Sequence, residues 1–280
     1  MQYFGFLGPK GTFSEIALKL YLAEHQLDEE CMGYASIDQL FLALETNRCH
    51  SVIVPVENSV EGSVTTVVDR LIFLKDTFIT SEYLMRIEQS LIVRDKATEI
   101  TDIISHYQPI AQCRQFLEAN YPNVCLHNAE STSSAAEFVK NQNDPKKNFA
   151  AIGHERLAKR YGLTIKQNHI NDSKDNITRF FIISRTPTKP TGNDKSSIVF
   201  STLKDQAGSL ATVLRTFQDH SINLTHISSR PTKTSLGEYL FYVDCEGHCE
   251  DAKLKNVLKL VEGKTSFIKC LGSYPKVELK

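Results

Sequence analysis

The stretch NITRFFIIS, residues 176–184, decides how the rest of the chain is interpreted, because a polar cluster there runs directly into an apolar segment. The branched and aromatic residues that end it predict a buried strand. At the start of that strand a hydroxyl, Thr178, stands beside a fixed positive charge, Arg179. A buried strand holds such residues rigidly, so we expect a functional site here. The alternative is that Thr178 is an ordinary strand former and Arg179 a surface charge.

The composition favours a globular protein that binds a small molecule. The chain has 280 residues, of which 41% are hydrophobic, and this length predicts about two domains. Its 32 basic and 33 acidic residues nearly cancel. No long run of either sign occurs, so the charge pattern does not indicate nucleic-acid binding.

The sequence also indicates a location in the cytoplasm without a membrane anchor. The N-terminal residues lack the pattern of a signal peptide, and no stretch approaches the ~18 apolar residues of a membrane span. The seven cysteines form no CxxC pair, which favours reduced thiols. Cys245, His248 and Cys249 lack a second cluster at ligand spacing, so we expect no metal, and no motif demands a cofactor.

Repeated strand-turn-helix units predict an α/β sheet whose binding crevice lies outside the strand ends. Helical periodicity predicts two further helices, at 37–47 and 112–122. The units occupy residues 3–25, 51–74, 124–141 and 149–163.

Three of the turns resemble anion-binding turns, because each precedes a helix and carries small or hydroxyl residues. They are residues 8–12, 57–62 and 131–134. The N-terminus of a helix offers unpaired N–H groups and a positive dipole. The alternative is ordinary helix capping. The GPKGT loop, residues 8–12, has neither the P-loop nor the G-x-G-x-x-G spacing, so nucleotide binding is unsupported.

Two extended crossing segments, residues 78–93 and 169–184, predict two lobes with a cleft between them. We expect an N-terminal domain over 1–185, with lobes at about 1–77 plus 172–185 and at 78–171. The Pro- and Thr-rich residues 186–196 are expected to form a linker. Residues 197–280 then give the order β-α-β-β-α-β, which is the ferredoxin-like arrangement.

Five segments of the chain form a specific combination when they occur together and in this order: FLGPKGTFSE at 5–14, PVENSVEGSV at 55–64, QCRQFL at 112–117, ESTSSAAEF at 130–138 and DSKDNITRF at 172–180. Together they resemble prephenate dehydratase followed by an ACT regulatory domain. Segments 208–217, 222–231 and 238–247 are similar to the phenylalanine-responsive ACT module. The resemblance implies an α/β, bilobed, periplasmic-binding-protein-like catalytic domain followed by the ACT fold.

The resemblance implies a lyase that converts prephenate to phenylpyruvate, water and carbon dioxide without a cofactor. Thr178 would donate a hydrogen bond to the departing oxygen. Arg179 would hold a carboxylate bidentately, or form a salt bridge between lobes, and Phe180 would pack below the site. The substrate-binding residues would be Thr12, Glu57, Asn58, Ser59, Gly62, Ser131, Thr132 and Ser133. Gln112, Cys113 and His106 are further candidates for the cleft edge.

The same resemblance implies allosteric inhibition by L-phenylalanine and a homodimer or homotetramer. The regulatory residues would be Gly208, Ser209, Leu210, Asn223, Leu224, Ser229, Arg230 and Pro231. One departure is Ser228, which stands where the family usually has glutamate, and it weakens the expectation of tight phenylalanine binding. Two alternatives stay open at this stage: an arogenate dehydratase, and a non-catalytic amino-acid sensor.

Overall fold

A computed structural model describes residues 2–96, 99–144, 147–204, 206–231 and 239–278. Three β-sheets organise these residues, and helices cover the sheets. The first two sheets form the two lobes of the N-terminal domain, and the third forms the C-terminal domain.

The first lobe is built on a mixed sheet whose central strand, β3, is flanked by β1 and β11. The strand order is β2-β1-β3-β11-β5, and the short β4 pairs with β3. Its apolar strands are buried beneath helices that begin at side-chain caps, such as Thr12 before α1 and Ser36 before α2. The elements are β1 Tyr3–Leu7, α1 Phe13–Glu24, β2 Cys31–Tyr34, α2 Ile37–Glu45, β3 Cys49–Asn58, β4 Gly62–Ser63, α3 Thr65–Phe73, β5 Phe78–Arg86 and, later in the chain, β11 Ile177–Ser184.

The second lobe has a sheet in the order β10-β6-β9-β7-β8. Its elements are β6 Ser90–Val93, β7 Asp102–Ser105, α4 Tyr107–Gln112, α5 Arg114–Asn120, β8 Cys125–Asn128, α6 Thr132–Asn141, β9 Phe149–Gly153, α7 Arg156–Tyr161 and β10 Thr164–Gln167. The helix expected over 112–122 is therefore divided at Cys113 into the end of α4 and α5. The strands β2, β4, β7 and β10 were not predicted, since segments of two to four residues carry little periodicity.

The boundary between the lobes differs from the expected one. Residues 78–86 form β5 and pair antiparallel with β11, with Met85 opposite Thr178. They therefore belong to the first lobe rather than to the second. The chain crosses between the lobes after Arg86 and returns before Ile177, as two crossings require.

The C-terminal domain is an antiparallel sheet in the order β13-β14-β12-β15 with two helices. Its elements are β12 Asp194–Thr202, α8 Ser209–Asp219, β13 Leu224–Pro231, β14 Tyr239–Glu246, α9 Ala252–Glu262 and β15 Thr265–Pro275. The β-α-β-β-α-β order expected from the sequence is confirmed. Strand β12 begins three residues earlier than expected, inside the predicted linker, because Asp194 pairs with Pro275 at the end of β15.

The third sheet packs directly on the first. Phe181 of β11 lies 5.7 Å, between ring centroids, from Tyr274 of β15, and both side chains belong to one apolar cluster with Val199 and Leu271. Strand β15 approaches β5 so closely at Gly272, where φ is 150°, that a Cβ atom would overlap the carbonyl oxygen of Ile79. Only glycine fits this position, so the two domains are in close contact along this line.

Candidate active site

A cleft of about 460 Å³ lies between the two lobes and is lined by both. The first lobe contributes the loop after β1, the end of β3 and the start of β11. The second lobe contributes α4 and the N-terminus of α6. The polar lining residues are Thr12, Ser14, Asn58, Glu61, Ser63, Gln89, His106, Gln108, Gln112, Glu130, Ser131, Thr132 and Thr178.

Thr178 is the buried hydroxyl on the floor of this cleft, with 9% of its surface exposed. It stands directly opposite Asn58 in the antiparallel pairing of β11 with β3. Phe180, two residues further along the same strand, lines the cleft as well and is 1% exposed. Residues two apart share one face of a strand, and this explains why these two side chains meet in the cleft.

The hydrogen bonds of Asn58 determine how the Thr178 hydroxyl is oriented. The Asn58 Oδ1 atom accepts bonds from the backbone N–H groups of Val60 and Glu61, at 2.9 and 3.0 Å. The Nδ2 group must therefore face the strand, where it donates to Asn176 Oδ1 at 2.7 Å and to Thr178 Oγ1 at 2.9 Å. Among the bonds of the described residues, Thr178 only accepts through its side chain, so its own proton remains available for a ligand.

Arg179 does not face the cleft. It points to the opposite side of β11, where Nε lies 2.8 Å from Glu82 Oε2 and Nη1 lies 2.6 Å from Asp244 Oδ2. The guanidinium also donates to the Tyr274 hydroxyl at 2.9 Å and lies 4.6 Å from the ring centroid of Phe181. The expectation that Thr178 and Arg179 share one site is therefore wrong, because consecutive strand residues point to opposite faces. Arg179 joins the two domains instead.

Neighbouring charges and burial have opposite effects on the pKa values of Arg179 and Asp244. Burial would lower the pKa of Arg179, but the neighbouring phenols and the carboxylates of Asp244 and Glu82 hold it above its ordinary value. Burial would likewise raise the pKa of Asp244, yet the Arg179 charge and bonds from Ser197 and Tyr242 lower it. Both groups are therefore ionised in the folded protein at neutral pH.

Three other predicted binding residues also lie outside the cleft lining. Glu57 is on the same face as Arg179, with its Oε2 atom 3.9 Å from Nη1. Ser59 joins β3 to the start of β11, since its hydroxyl donates to the Asp175 carbonyl at 2.6 Å and accepts from Ile177 N–H. Ser133 donates to the carbonyl of Lys10 at 2.6 Å and so connects the two lobes. These three side chains have structural partners already.

The remaining predicted residues do line the cleft, and two of them cap helices. Thr12 accepts from the backbone N–H of Glu15 at the start of α1, and Ser131 forms a capping box with Ser134 at the start of α6. Thr132 and Gly62 complete this set, and Gly62, the first residue of β4, has a φ of 86°. Capping and cleft lining are thus combined in the same residues.

The second lobe supplies two side-chain amides to the cleft: Gln112, a candidate for the cleft edge from the sequence, and Gln108, which no motif indicated. Gln112 donates to Glu61 Oε1 at 2.9 Å across the cleft, and Gln108 donates to the other oxygen of Glu61. His106 lines the cleft and caps α4, whereas Cys113 is fully buried and does not line it. Gln108 and Gln112 are one helical turn apart, and this spacing is the signal that could have identified the pair.

The comparisons with known proteins agree with this geometry. The family model described as prephenate dehydratase matches residues 4–188, and the model described as ACT domain matches residues 196–261. This chain belongs to the prephenate dehydratase family. The prephenate dehydratase of Methanocaldococcus jannaschii is 39% identical over 95% of this chain and 96% of its own length. The bifunctional chorismate mutase/prephenate dehydratase of Aquifex aeolicus is 38% identical over 98% of this chain and 74% of its own length.

A solved structure of the family is similar to this chain over both domains. The prephenate dehydratase of Arthrobacter aurescens, in complex with L-Phe, superposes with a TM-score of 0.86 at 30% identity and covers 98% of this chain and 90% of its own. The family, the fold class and the lyase activity expected from the sequence are therefore confirmed.

The expected regulatory residues lie at both ends of α8 and along β13 of the ACT domain. Gly208, with a φ of 88°, precedes α8, while Ser209 and Leu210 form its first turn. Asn223 and Leu224 follow the other end of α8, where the Asn223 carbonyl accepts from Glu246 N–H at 3.0 Å. Ser229, Arg230 and Pro231 are on the edge strand β13, as is Ser228. In the described part of the chain, the Arg230 Nε group has no hydrogen-bond partner.

The described residues contain no group of three or more His, Cys, Asp or Glu side chains that could hold a metal ion. Within the same residues, every helix is too short or too polar to cross a membrane.

Proposed function

We propose that the cleft binds prephenate and that Thr178 assists the loss of the ring hydroxyl. The reaction releases this hydroxyl as water and the ring carboxylate as carbon dioxide, and leaves phenylpyruvate. The observation that carries the proposal is the Asn58–Thr178 bond of 2.9 Å, in which the threonine accepts. Because Asn58 Nδ2 is oriented by its other bonds, the Thr178 O–H can donate to a departing oxygen.

The charge balance of the reaction shows whether the hydrogen-bond donor must also supply a proton. Prephenate carries two carboxylates and phenylpyruvate carries one, so one proton is consumed as hydroxide leaves in the form of water. A threonine hydroxyl is too weak an acid to supply that proton as a free acid at neutral pH. Thr178 therefore acts as a positioned hydrogen-bond donor or relay, and stabilises the charge that develops on the leaving oxygen. Glu61, His106 and Glu130 also line the cleft, and Glu61 and Glu130 are exposed to solvent.

The two carboxylates of the substrate need hydrogen-bond donors at two places in the cleft. The N-termini of α1, in the first lobe, and of α6, in the second lobe, present backbone N–H groups beside Thr12 and Ser131, and a helix N-terminus favours an anion. The amides of Gln108 and Gln112, on α4 of the second lobe, already hold a carboxylate, that of Glu61. A substrate carboxylate can replace it there, in which case the Glu61 side chain turns toward solvent.

The test is turnover of prephenate by the wild-type protein and by Thr178→Val. Valine keeps the shape of threonine and removes the hydroxyl, so kcat should fall on the order of 100- to 1000-fold, as is typical for the loss of one preorganised donor. KM should change little, since the hydroxyl acts on the transition state. Thr178→Ser is the matched control, and it should retain most of the activity.

Two results would contradict the proposal. The first is a wild-type protein that forms no phenylpyruvate above the spontaneous rate. The second is a Thr178→Val variant with wild-type kcat. Arogenate, assayed beside prephenate, distinguishes the two dehydratase activities.

The ACT domain supports inhibition by L-phenylalanine bound between two chains. Gly208, Ser209 and Leu210 lie at the start of α8, and Asn223 and Leu224 follow its end. The 11 residues of this helix span about 16 Å at 1.5 Å per residue. One amino acid cannot touch both groups within a single chain. Strand β13 is an edge strand that exposes Ile227, and such an edge can pair with a second copy. We therefore propose a homodimer or a dimer of dimers, which light scattering of the purified protein would detect.

The thiols support a reducing compartment. All seven cysteines lie within the described residues and all are free, as is usual in the cytoplasm. We propose the cytoplasm as the location, and fractionation of cells that express the protein would test it.

A further inference from the structure

We propose that Asp244 of the ACT domain is a positioning residue for the dehydration, and that it acts through Arg179 on Thr178. This inference rests on the function proposed above for Thr178. It concerns a residue of the C-terminal domain that does not touch the cleft, and a contact that lies on the opposite face of the catalytic strand.

The first observation is the place of Arg179 in the strand. It is bonded to Thr178 by one peptide link, and its side chain leaves the opposite face of β11. Of that side chain, 11% is exposed, and its Nη1 atom lies 2.6 Å from Asp244 Oδ2. A displacement of the guanidinium therefore moves the backbone that carries the Thr178 hydroxyl.

The second observation is how firmly Asp244 is itself held. It is fully buried, and its Oδ1 atom accepts from the hydroxyls of Ser197 and Tyr242, each at 2.6 Å. Tyr274 completes the group, because its hydroxyl accepts from Arg179 and lies 2.8 Å from Ser197 Oγ. Four ACT-domain side chains thus fix one catalytic-domain cation, and a buried group with every bond satisfied has a single geometry.

The third observation links this group to the regulatory strand. Asp244 pairs with His226 across β14 and β13, and β13 carries Ser229 and Arg230. A ligand that shifts β13 therefore acts on the neighbour of Asp244. The contact then has two arrangements, with and without ligand, that bias the position of Thr178, and this is the physical requirement for coupling between sites.

The ACT domain also offers a matched control contact. Lys269 donates to the carbonyls of Leu71 and Ile72, at 2.7 and 3.0 Å, and to that of Leu74. It joins the same two domains at the C-terminal end of α3 but has no bond to β11. Lys269→Met therefore weakens the interface without touching the proposed route.

The experiment compares the full-length wild type with Asp244→Asn, Tyr274→Phe and Lys269→Met on prephenate. A displacement of about 1 Å can cost on the order of 100-fold in rate, so Asp244→Asn should lower kcat about 10- to 100-fold with KM within about twofold. Tyr274→Phe removes one acceptor from Arg179 but keeps the ring and the Asp244 carboxylate, so it should disturb the fold less than Asp244→Asn does. Its kcat should fall about three- to tenfold. Lys269→Met should keep the wild-type kcat.

Two further readouts separate positioning from a general loss of structure. Asp244→Asn should still bind L-phenylalanine by calorimetry but lose inhibition. Amide hydrogen exchange over residues 176–184 should accelerate in Asp244→Asn and not in Lys269→Met. The exchange measurement does not depend on turnover, so it judges the coupling even if the wild type proves inactive on prephenate and the proposed function fails.

Three outcomes would overturn the inference. They are equal kcat values for Asp244→Asn and Lys269→Met, an effect of Asp244→Asn on KM alone, and unchanged exchange at residues 176–184 in the Asp244→Asn variant.

Discussion

The two faces of β11 use polar side chains in opposite ways. On the cleft face, the Thr178 hydroxyl accepts one bond and keeps its proton available, beside a cavity of about 460 Å³. On the domain face, the Arg179 guanidinium has bonded partners in Glu82, Asp244 and Tyr274. The difference teaches that a residue next to a catalytic group in sequence can have an entirely structural set of partners. Contact with the substrate should therefore depend on the first face, whereas the second face should contribute stability and affect kcat only through the position of β11.

The largest expected effect is on stability and comes from Arg179→Met. Removing one partner of a buried ion group leaves Glu82 and Asp244 as buried, incompletely compensated carboxylates, at a cost of roughly 3–5 kcal/mol. Chemical denaturation followed by circular dichroism measures the free energy of unfolding. Arg86→Met is the control, because Arg86 pairs with Asp175 at 3.6 Å on the surface, and such pairs contribute less than about 1 kcal/mol. Equal losses in the two variants would contradict the contrast between the faces.

The next effect is on activity and comes from Asn58→Asp. The carboxylate cannot donate to Thr178, and it draws the threonine proton toward itself and away from the cleft. We expect kcat to fall on the order of 100-fold. Steady-state turnover of prephenate measures this fall. Asn58→Ser should be milder, since a hydroxyl can still donate. A wild-type kcat in Asn58→Asp would show that the orientation of the Thr178 hydroxyl does not matter.

The sequence predicted the strand-turn-helix units, the C-terminal fold and part of the cleft lining, because periodicity and turn residues are local signals. The sequence-based prediction placed Glu57 and Arg179 in the cleft because all residues of the segments 55–64 and 172–180 were assigned to one site. The period of two along a strand, applied to Thr178 and Arg179, separates them without any structure. What no local pattern could give is the partner of Arg179, since Asp244 is distant in sequence and reaches it only when the third sheet packs on the first.

The stability that Asp244 contributes on the domain face should depend on pH. The pKa of Asp244 in the folded protein lies below its ordinary value, against the effect of burial, because of the Arg179 charge and the Ser197 and Tyr242 hydroxyls. The ionised carboxylate therefore contributes stability above about pH 3.9, and this contribution is lost as the pH falls through the lowered folded value. Unfolding of wild type and Asp244→Asn from pH 7 to pH 3 should show a wild-type advantage that narrows below about pH 4. An advantage that is constant with pH would mean that folding does not lower the pKa of Asp244, and one that widens below about pH 4 would mean that Asp244 is not ionised in the folded state.

The smallest effect concerns Ser131, which combines the two roles that Thr178 and Arg179 divide between them. Its hydroxyl accepts from Ser134 N–H at 3.0 Å and caps α6, and it lines the cleft. Ser131→Ala should cost about 1 kcal/mol of stability. Ser131→Asp keeps the cap but places a negative charge where a substrate with two carboxylates binds. A charge at ~4 Å costs at least about 1 kcal/mol, so KM for prephenate should rise at least about fivefold while the melting temperature is retained. If Ser131→Asp keeps the wild-type KM, this end of α6 caps the helix and does not bind the substrate, and the carboxylate must be held by the amides of Gln108 and Gln112 on α4.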